Sequence, residues 1–144
     1  MLQDQPFGIS VVVVNWNSKR NLADCLESLS SQTDGAFEVV VVDNGSSDGS
    51  VELVRAEHPK VTLVAARENL GFAEGCNRGI EVATQPWIAT LNNDAVADPH
   101  WIAQLRAAAR TGAAHLGMIQ SRIVFRQQYD LNKVNKFLWN MQPS

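Results

Sequence analysis

Residues 39–50 read VVVVDNGSSDGS: four β-branched side chains with no polar spacer, then an acid, an amide, two serines, a second acid and two glycines. A valine run without alternation is the pattern of a strand covered on both faces, as in a parallel sheet. The change at Asp43 marks where that strand leaves the interior. In an open α/β sheet, ligands bind in the crevice outside such carboxyl ends. What the polar cluster is for therefore depends on whether other strands end in the same way.

Working outward, ISVVVV at residues 9–14 repeats the pattern, and VTLVAA at 61–66 and WIATL at 87–91 are weaker versions of it. Between the first two runs, Leu22, Leu26 and Leu29 recur at helical spacing with Cys25 on the same face, and Ser18 stands where an N-cap would. A shorter helix is expected over residues 50–57, ending before Pro59, because a residue preceding proline is pushed out of the helical region. After the third strand, Phe72, Cys76, Ile80 and Ala83 form one stripe. Gly71, Gly75 and Gly79 form a second side that a backbone can approach closely. After the fourth, Asp98 is placed to cap, Pro99 to take the first helical position, and Ile102, Leu105 and Ala109 to face inward. The order β-α-β-α-β-α-β-α implies an α/β fold, a Rossmann-like three-layer sandwich with a mostly parallel sheet and right-handed crossovers. Residues 121–125 are a candidate edge strand.

Composition narrows the partners. The chain has 144 residues, is 45% hydrophobic and 19% charged, and carries a net charge of -3. That is ordinary for one folded domain and gives no electrostatic footprint for nucleic acid. No apolar run reaches the roughly 18 residues that span a bilayer, and the start, MLQDQPFG, lacks the layout of a secretion signal. A cytoplasmic location is expected, with peripheral contact to the inner face of the membrane as a variant of it. Cys25 and Cys76 fall in helical patterns without C-x-x-C spacing, so both are read as reduced, packed thiols. His58, His100 and His115 are far apart and suggest no metal cluster.

The four strand ends read NWN at 15–17, DNGSSD at 43–48, REN at 67–69 and NND at 92–94. Each apolar run stops at a polar cluster, which is what a cleft assembled from several loops requires. Ser46, Ser47 and Asp48 can equally well line that cleft or cap the next helix, and Asn69 before Gly71 can be turn chemistry alone. Asp43 and Asp94, acids set directly at buried strand ends, are the stronger candidates for function. Neither G-x-G-x-x-G nor G-x-x-x-x-G-K-[ST] follows the first strand, which argues against a dinucleotide on a glycine-rich turn and against an ATPase or GTPase. A diphosphate here needs another counter-charge. Asp94 can supply it by holding a hard divalent cation through one carboxylate, with water and phosphate oxygens filling the other positions. Asp43 can accept hydrogen bonds from a base or a ribose.

Taken together and in this order, ISVVVVNWN, VVVVDNGSSDGS, ENLGFAEGCNRGI and LNNDAVADPHW resemble the donor-binding half of family-2 glycosyltransferases of the GT-A fold. The resemblance covers about residues 8–125, leaving 126–144 as a C-terminal tail, and is nearest the bacterial rhamnosyltransferase-like group, which builds cell-surface polysaccharide. It implies that Asn15, Trp16 and Asn17 line the base pocket, with Trp16 as an apolar wall, and that Asp43 hydrogen-bonds the base or ribose. It further implies that Asn69 and Gly71 lie beside the nucleotide, that Asn92 sits near the ribose and that Asp94 binds Mg2+ or Mn2+ bridging the diphosphate. The donor is then a dTDP- or UDP-linked sugar and the acceptor a saccharide or a lipid-linked saccharide.

Two departures from the family pattern stand out. Asn92 and Asn93 leave a single acid in the metal motif, and the part of the family carrying the acceptor site and the general base has no counterpart here. Beyond Asp98 the only acid is Asp130, in a stretch without a catalytic motif, so the catalytic base is unassigned. In the tail, Leu131, Val134, Leu138 and Met141 recur at helical spacing, either to cover the sheet edge or to pair with a second copy. The competing reading, from a different class, is a non-catalytic module binding a nucleotide sugar or a protein. A nucleotidyltransferase ranks last for want of a glycine-rich, basic loop after the first strand.

Overall fold

The structure is a computed structural model, which describes residues 8–111 and 117–121. The proposed strand at 121–125, the tail helix, His115 and Asp130 lie outside the described residues or nearly so. Strands β1 (Ile9–Asn15), β2 (Phe37–Asp43), β3 (Thr62–Ala65) and β4 (Trp87–Thr90) alternate with helices α1 (Lys19–Ser30), α2 (Ser50–Glu57), α3 (Phe72–Val82) and α4 (Trp101–Thr111). The strands form one all-parallel sheet in the order β3-β2-β1-β4. The register pairs Val11 to Val14 with Val39 to Val42, and Asn15 with Asp43. The two valine runs therefore end level with each other, and their terminal amide and acid are neighbours.

The chain builds outward from β1 to β3, then returns past β1 to lay down β4. Right-handed crossovers put helices made in opposite directions on opposite faces. Val11, Val13 and Val41 accordingly pack with Leu22, Cys25, Leu26, Leu29, Val54 and Ile102 on one face. Val12, Val40 and Val42 form the core of the other, supported by Val14 and Val64. This two-sided burial is why the valine runs carry no polar alternation.

The third helix meets the sheet by the glycine side that its sequence offers for close approach, not by its apolar stripe. Gly75 and Gly79 are its buried residues, whereas Phe72 and Ile80 are 59% and 45% exposed. A Cβ on Gly79 would lie 2.3 Å from Val12 Cγ1, and one on Gly75 would lie 2.7 Å from Val14 Cγ1. Close helix-to-sheet approach, rather than apolar periodicity, sets the rotation of α3.

Two helix starts differ from expectation. Ser18 occupies the N-cap of α1 but makes no capping bond. The Lys19 N–H instead donates to Asp48 Oδ2 (2.8 Å), while Asp48 Oδ1 accepts from the Ser50 N–H (3.1 Å) and hydroxyl (2.5 Å). One carboxylate thus serves the first turns of both α1 and α2, which is a favourable place for negative charge. Burial pushes the Asp48 carboxyl up, but the bonds from Ser50 and Lys19 outweigh it and hold it below the usual value. Helix α4 begins at Trp101, two residues after Pro99, and its Ile102 N–H is capped by Gln32 Oε1 (3.0 Å) from the end of α1. Asp98 still acts just before it, accepting from the His100 N–H at 2.8 Å.

At the opposite rim from the polar strand ends, Glu38 accepts from the Ser10 hydroxyl (2.5 Å) and from the Thr84 N–H (2.6 Å) and hydroxyl (2.8 Å). This clamps the loop before β4 onto β1 and β2. Partial burial raises the Glu38 carboxyl, yet the donors from Ser10 and Thr84 together keep it below its ordinary value. A depressed carboxyl stabilises the fold above the unfolded-state value of about 4.3, and that contribution disappears as pH falls through the lower folded value. Glu38→Ala is expected to cost about 1–3 kcal/mol at pH 7, since the buried Ser10 hydroxyl loses its acceptor. Urea unfolding of both proteins between pH 7 and pH 3 checks this; the gap should narrow as the carboxylate is protonated at acid pH.

Candidate functional site

All four strands point their carboxyl ends at one edge. The order β3-β2-β1-β4 places the topological switch point between β1 and β4, where connections leave in opposite directions and a crevice opens. Asn15 ends β1 on one side of that crevice, and residues 92–94 follow β4 on the other.

Side chains bridge it. The Asn93 amide donates to Asn15 Oδ1 at 2.8 Å. The Asn15 amide in turn donates to Asp43 Oδ1 at 3.0 Å and to the Ser46 hydroxyl at 3.3 Å. Asp43 Oδ2 accepts the Ser46 N–H at 2.8 Å. Asn15 and Asp43 are 0% and 1% exposed, so this relay forms the floor of the crevice. Among the described residues Asp43 forms no ion pair; each of its oxygens has one of these bonds and further lone-pair capacity. Removing its carboxylate would strand buried donors. Asp43→Ala thus carries a folding cost that a purely cleft-facing acid would not.

The walls rise from the same loops. Trp16 stands at the end of β1 with 54% of its surface exposed. Asn17 adopts the left-handed region (φ 45°), donates its N–H to Ser46 Oγ (2.8 Å) and accepts the Ser47 N–H on its Oδ1 (2.8 Å). Its carboxamide therefore shapes the loop after β2. Gly45 is at φ +72°, and a Cβ there would sit 2.9 Å from the Glu68 backbone, so the loops after β2 and β3 touch. In the latter loop, Asn69 Oδ1 accepts the Gly71 N–H (2.9 Å), and Gly71 O accepts the Asn44 amide (3.0 Å). Asn69 and Gly71 are exposed at the mouth of α3, while Asn44 is buried with its Oδ1 unpartnered.

Asn92 and Asp94 are both exposed on the β4 side, beside half-buried Asn93. Beneath them the Cys25 thiol donates to Asn92 O at 3.7 Å. Its pKa is pushed up to about 12, first by burial and then by the negative charge of Asp94. It stays a neutral thiol and a packing group, as the sequence reading has it; Cys76 is also free. Among the described residues there is no group of three or more His, Cys, Asp or Glu side chains able to cage a metal. A hard cation held by one carboxylate needs no such cage when a diphosphate and waters supply its other ligands. The donor set around Asp94 fits that arrangement.

The structure therefore brings the β1, β2 and β4 ends together through direct side-chain bonds, and adds the β3 loop through backbone contact. Ser46 and Asp48 emerge chiefly as loop and helix-start ligands. Asn93 and Asn44 are the residues that sequence reasoning passed over. Asn93 was overshadowed by the acid beside it, and its only signal was a position level with Asn15 across the switch point.

An all-parallel sheet with helices on both faces and a polar crevice at its switch point defines an α/β ligand-binding domain. The chain belongs to Glycosyl transferase family 2, whose sequence model matches residues 10–143. It is 36% identical over 89 residues to the uncharacterized glycosyltransferase YibD of Escherichia coli (strain K12), covering 60% of this chain and 26% of that one. Among solved structures it is similar to S. aureus TarS in complex with UDP-GlcNAc, with TM-score 0.70 and 21% identity over 85% of this chain and 38% of that one. It is also similar to the mannosyltransferase PcManGT of Pyrobaculum calidifontis in complex with GDP-Man and Mn2+, with TM-score 0.62 and 28% identity over 71% of this chain and 31% of that one. The chain thus spans well under half the length of these proteins. No helix among the described residues is long and apolar enough to cross a membrane.

Proposed function

We propose that this chain is the donor-binding part of a glycosyltransferase that moves a sugar from a nucleoside diphosphate to an acceptor hydroxyl. The observation that carries the reading is the hydrogen-bonded floor Asn93–Asn15–Asp43, which joins three strand ends at the switch point beneath the exposed Trp16, Asn92 and Asp94. Trp16 offers an apolar face to the base, and the remaining lone pairs of Asp43 meet base or ribose donors at the crevice floor. Asn69, Gly71 and Asn92 flank the ribose and phosphates. Asp94 would hold a divalent cation against the diphosphate, as the Mn2+ complex of PcManGT suggests by analogy. When bound, that cation offsets the negative charge that builds on the departing nucleoside diphosphate.

The rhamnosyltransferase-like motifs favour a dTDP- or UDP-linked donor and a saccharide or lipid-linked acceptor in cell-surface polysaccharide synthesis. The two free thiols suit a reducing, cytoplasmic setting. Calorimetric titration of UDP, dTDP and GDP, with and without Mn2+, tests the reading. Micromolar to low-millimolar binding that Mn2+ tightens is expected, and no binding of any of the three under either condition rejects it. The second reading is a binding module without turnover. Donor hydrolysis or transfer that requires Asp94 decides for the enzyme; binding without either decides for the module.

A further inference from the structure

We infer that Asn93 is a positioning residue that fixes the nucleotide-reading acid Asp43 from across the switch point, acting through Asn15. The inference rests on the reading just given and adds to it a role for a side chain outside both the base pocket and the cation site. The direction of the relay follows from chemistry. Asp43 is acceptor-only when ionised, so Asn15 must turn its NH2 toward it, as it does at 3.0 Å. That choice points Asn15 Oδ1 the other way, where only a donor satisfies it. Asn93 Nδ2 supplies that donor at 2.8 Å.

Asn15 is fully buried with Asn93 in place, so losing Asn93 takes from its carbonyl oxygen the donor it has in the fold. The carboxamide is then no longer held from its oxygen side, and any tilt lengthens the bonds its NH2 makes to Asp43 and Ser46. Ser46 holds the Asn17 N–H at 2.8 Å, so the loss spreads to the loop after β1. Asn93 adjoins Asp94 in sequence, and the Asn92 carbonyl is held by Cys25 from below, which leaves the Asn93 side chain as the link from the cation loop to the base side. A bystander in the cation loop would influence nucleotide binding only when a cation is present. The relay requires an influence in its absence.

The test compares the wild-type chain with Asn93→Ala, using whichever of UDP, dTDP or GDP the wild type binds, in EDTA and then in Mn2+. Loss of the bond is expected to weaken binding in EDTA by roughly fivefold, the scale of one buried hydrogen bond. The second variant is Asn93→Asp, which keeps the shape of the side chain but faces oxygen to oxygen. It is read with the uncharged nucleoside, where the added charge has no phosphate to repel, and the same loss is expected. Thermal melts of each variant establish that it is folded. If the wild type binds and both variants match it within twofold in the absence of cation, the inference is overturned while the donor-binding reading stands. If the wild type binds no nucleotide at all, that reading fails first and takes the relay with it.

Discussion

Asp94→Ala is expected to abolish the tightening of nucleotide binding by Mn2+ and to lower sugar transfer or donor hydrolysis by at least about a hundredfold, the scale of losing one main electrostatic stabiliser of a leaving group. The size of the effect follows from the lack of a substitute. Asn92 and Asn93 flank it as neutral amides, and Asn93 is already committed to Asn15. The Cys25 thiol beneath the loop is pushed up to about 12 by burial and by the charge of Asp94, which disfavours a thiolate there. Asp43 is buried on the far side of Asn15 with neutral donors around it. Because Asp94 is exposed, the variant should melt with the wild type. Titration of UDP, dTDP and GDP with and without Mn2+ reads the outcome; a Mn2+ effect that survives in the variant would place the cation elsewhere.

Gly79→Val is expected to leave the chain unfolded, and Gly79→Ala to be destabilised by about 1–3 kcal/mol, as overpacking usually costs. The Cβ position lies 2.3 Å from Val12 Cγ1 and 3.2 Å from Val42 Cγ2. Val12 and Val42 are 1% and 0% exposed, and a β-branched side chain in a packed strand has no free rotamer to yield to. Alanine in a helix is otherwise favoured over glycine by about 0.8–1 kcal/mol, so the sign of the change is itself the measurement. Urea unfolding that shows Gly79→Ala as stable as the wild type would mean that α3 does not approach the sheet this closely. The site is coupled to this contact, because Gly71, at the start of α3, accepts the Asn44 amide. Pushing the helix outward therefore also displaces the loop of Asn69 and Gly71.

Much of this was legible in the letters. Uninterrupted valine runs require cover on both faces, which leads to a parallel sheet and helices on each side. All four strands and four helices appear within a residue or two of expectation, apart from the later start of α4. The placement of Asp43 at the end of β2 needed no coordinates, whereas Asp94 lies four residues past the end of β4, a strand that alternates between half-buried and exposed rather than being buried. Less legible were the helix caps. The glycine side of α3 was legible as one a backbone can approach, and Gly75 and Gly79 are its buried residues, while Phe72 and Ile80 of the apolar stripe are exposed. Ser18 had the right identity and position for a cap, yet Asp48 from a distant loop took the Lys19 N–H. Local pattern cannot anticipate a ligand that arrives from elsewhere in the chain.

The sequence by itself determined the sheet, the direction of its strands and the edge at which polar chemistry gathers, because hydrophobic period and strand-end composition are properties of contiguous residues. Only the tertiary structure decided that Asn15 and Asp43 lie under the crevice rather than on its surface, that Asn93 reaches them across the switch point and that one carboxylate serves two helices. Those facts depend on strand order and register, which bring together residues 28 to 78 positions apart, and no local interaction encodes that separation.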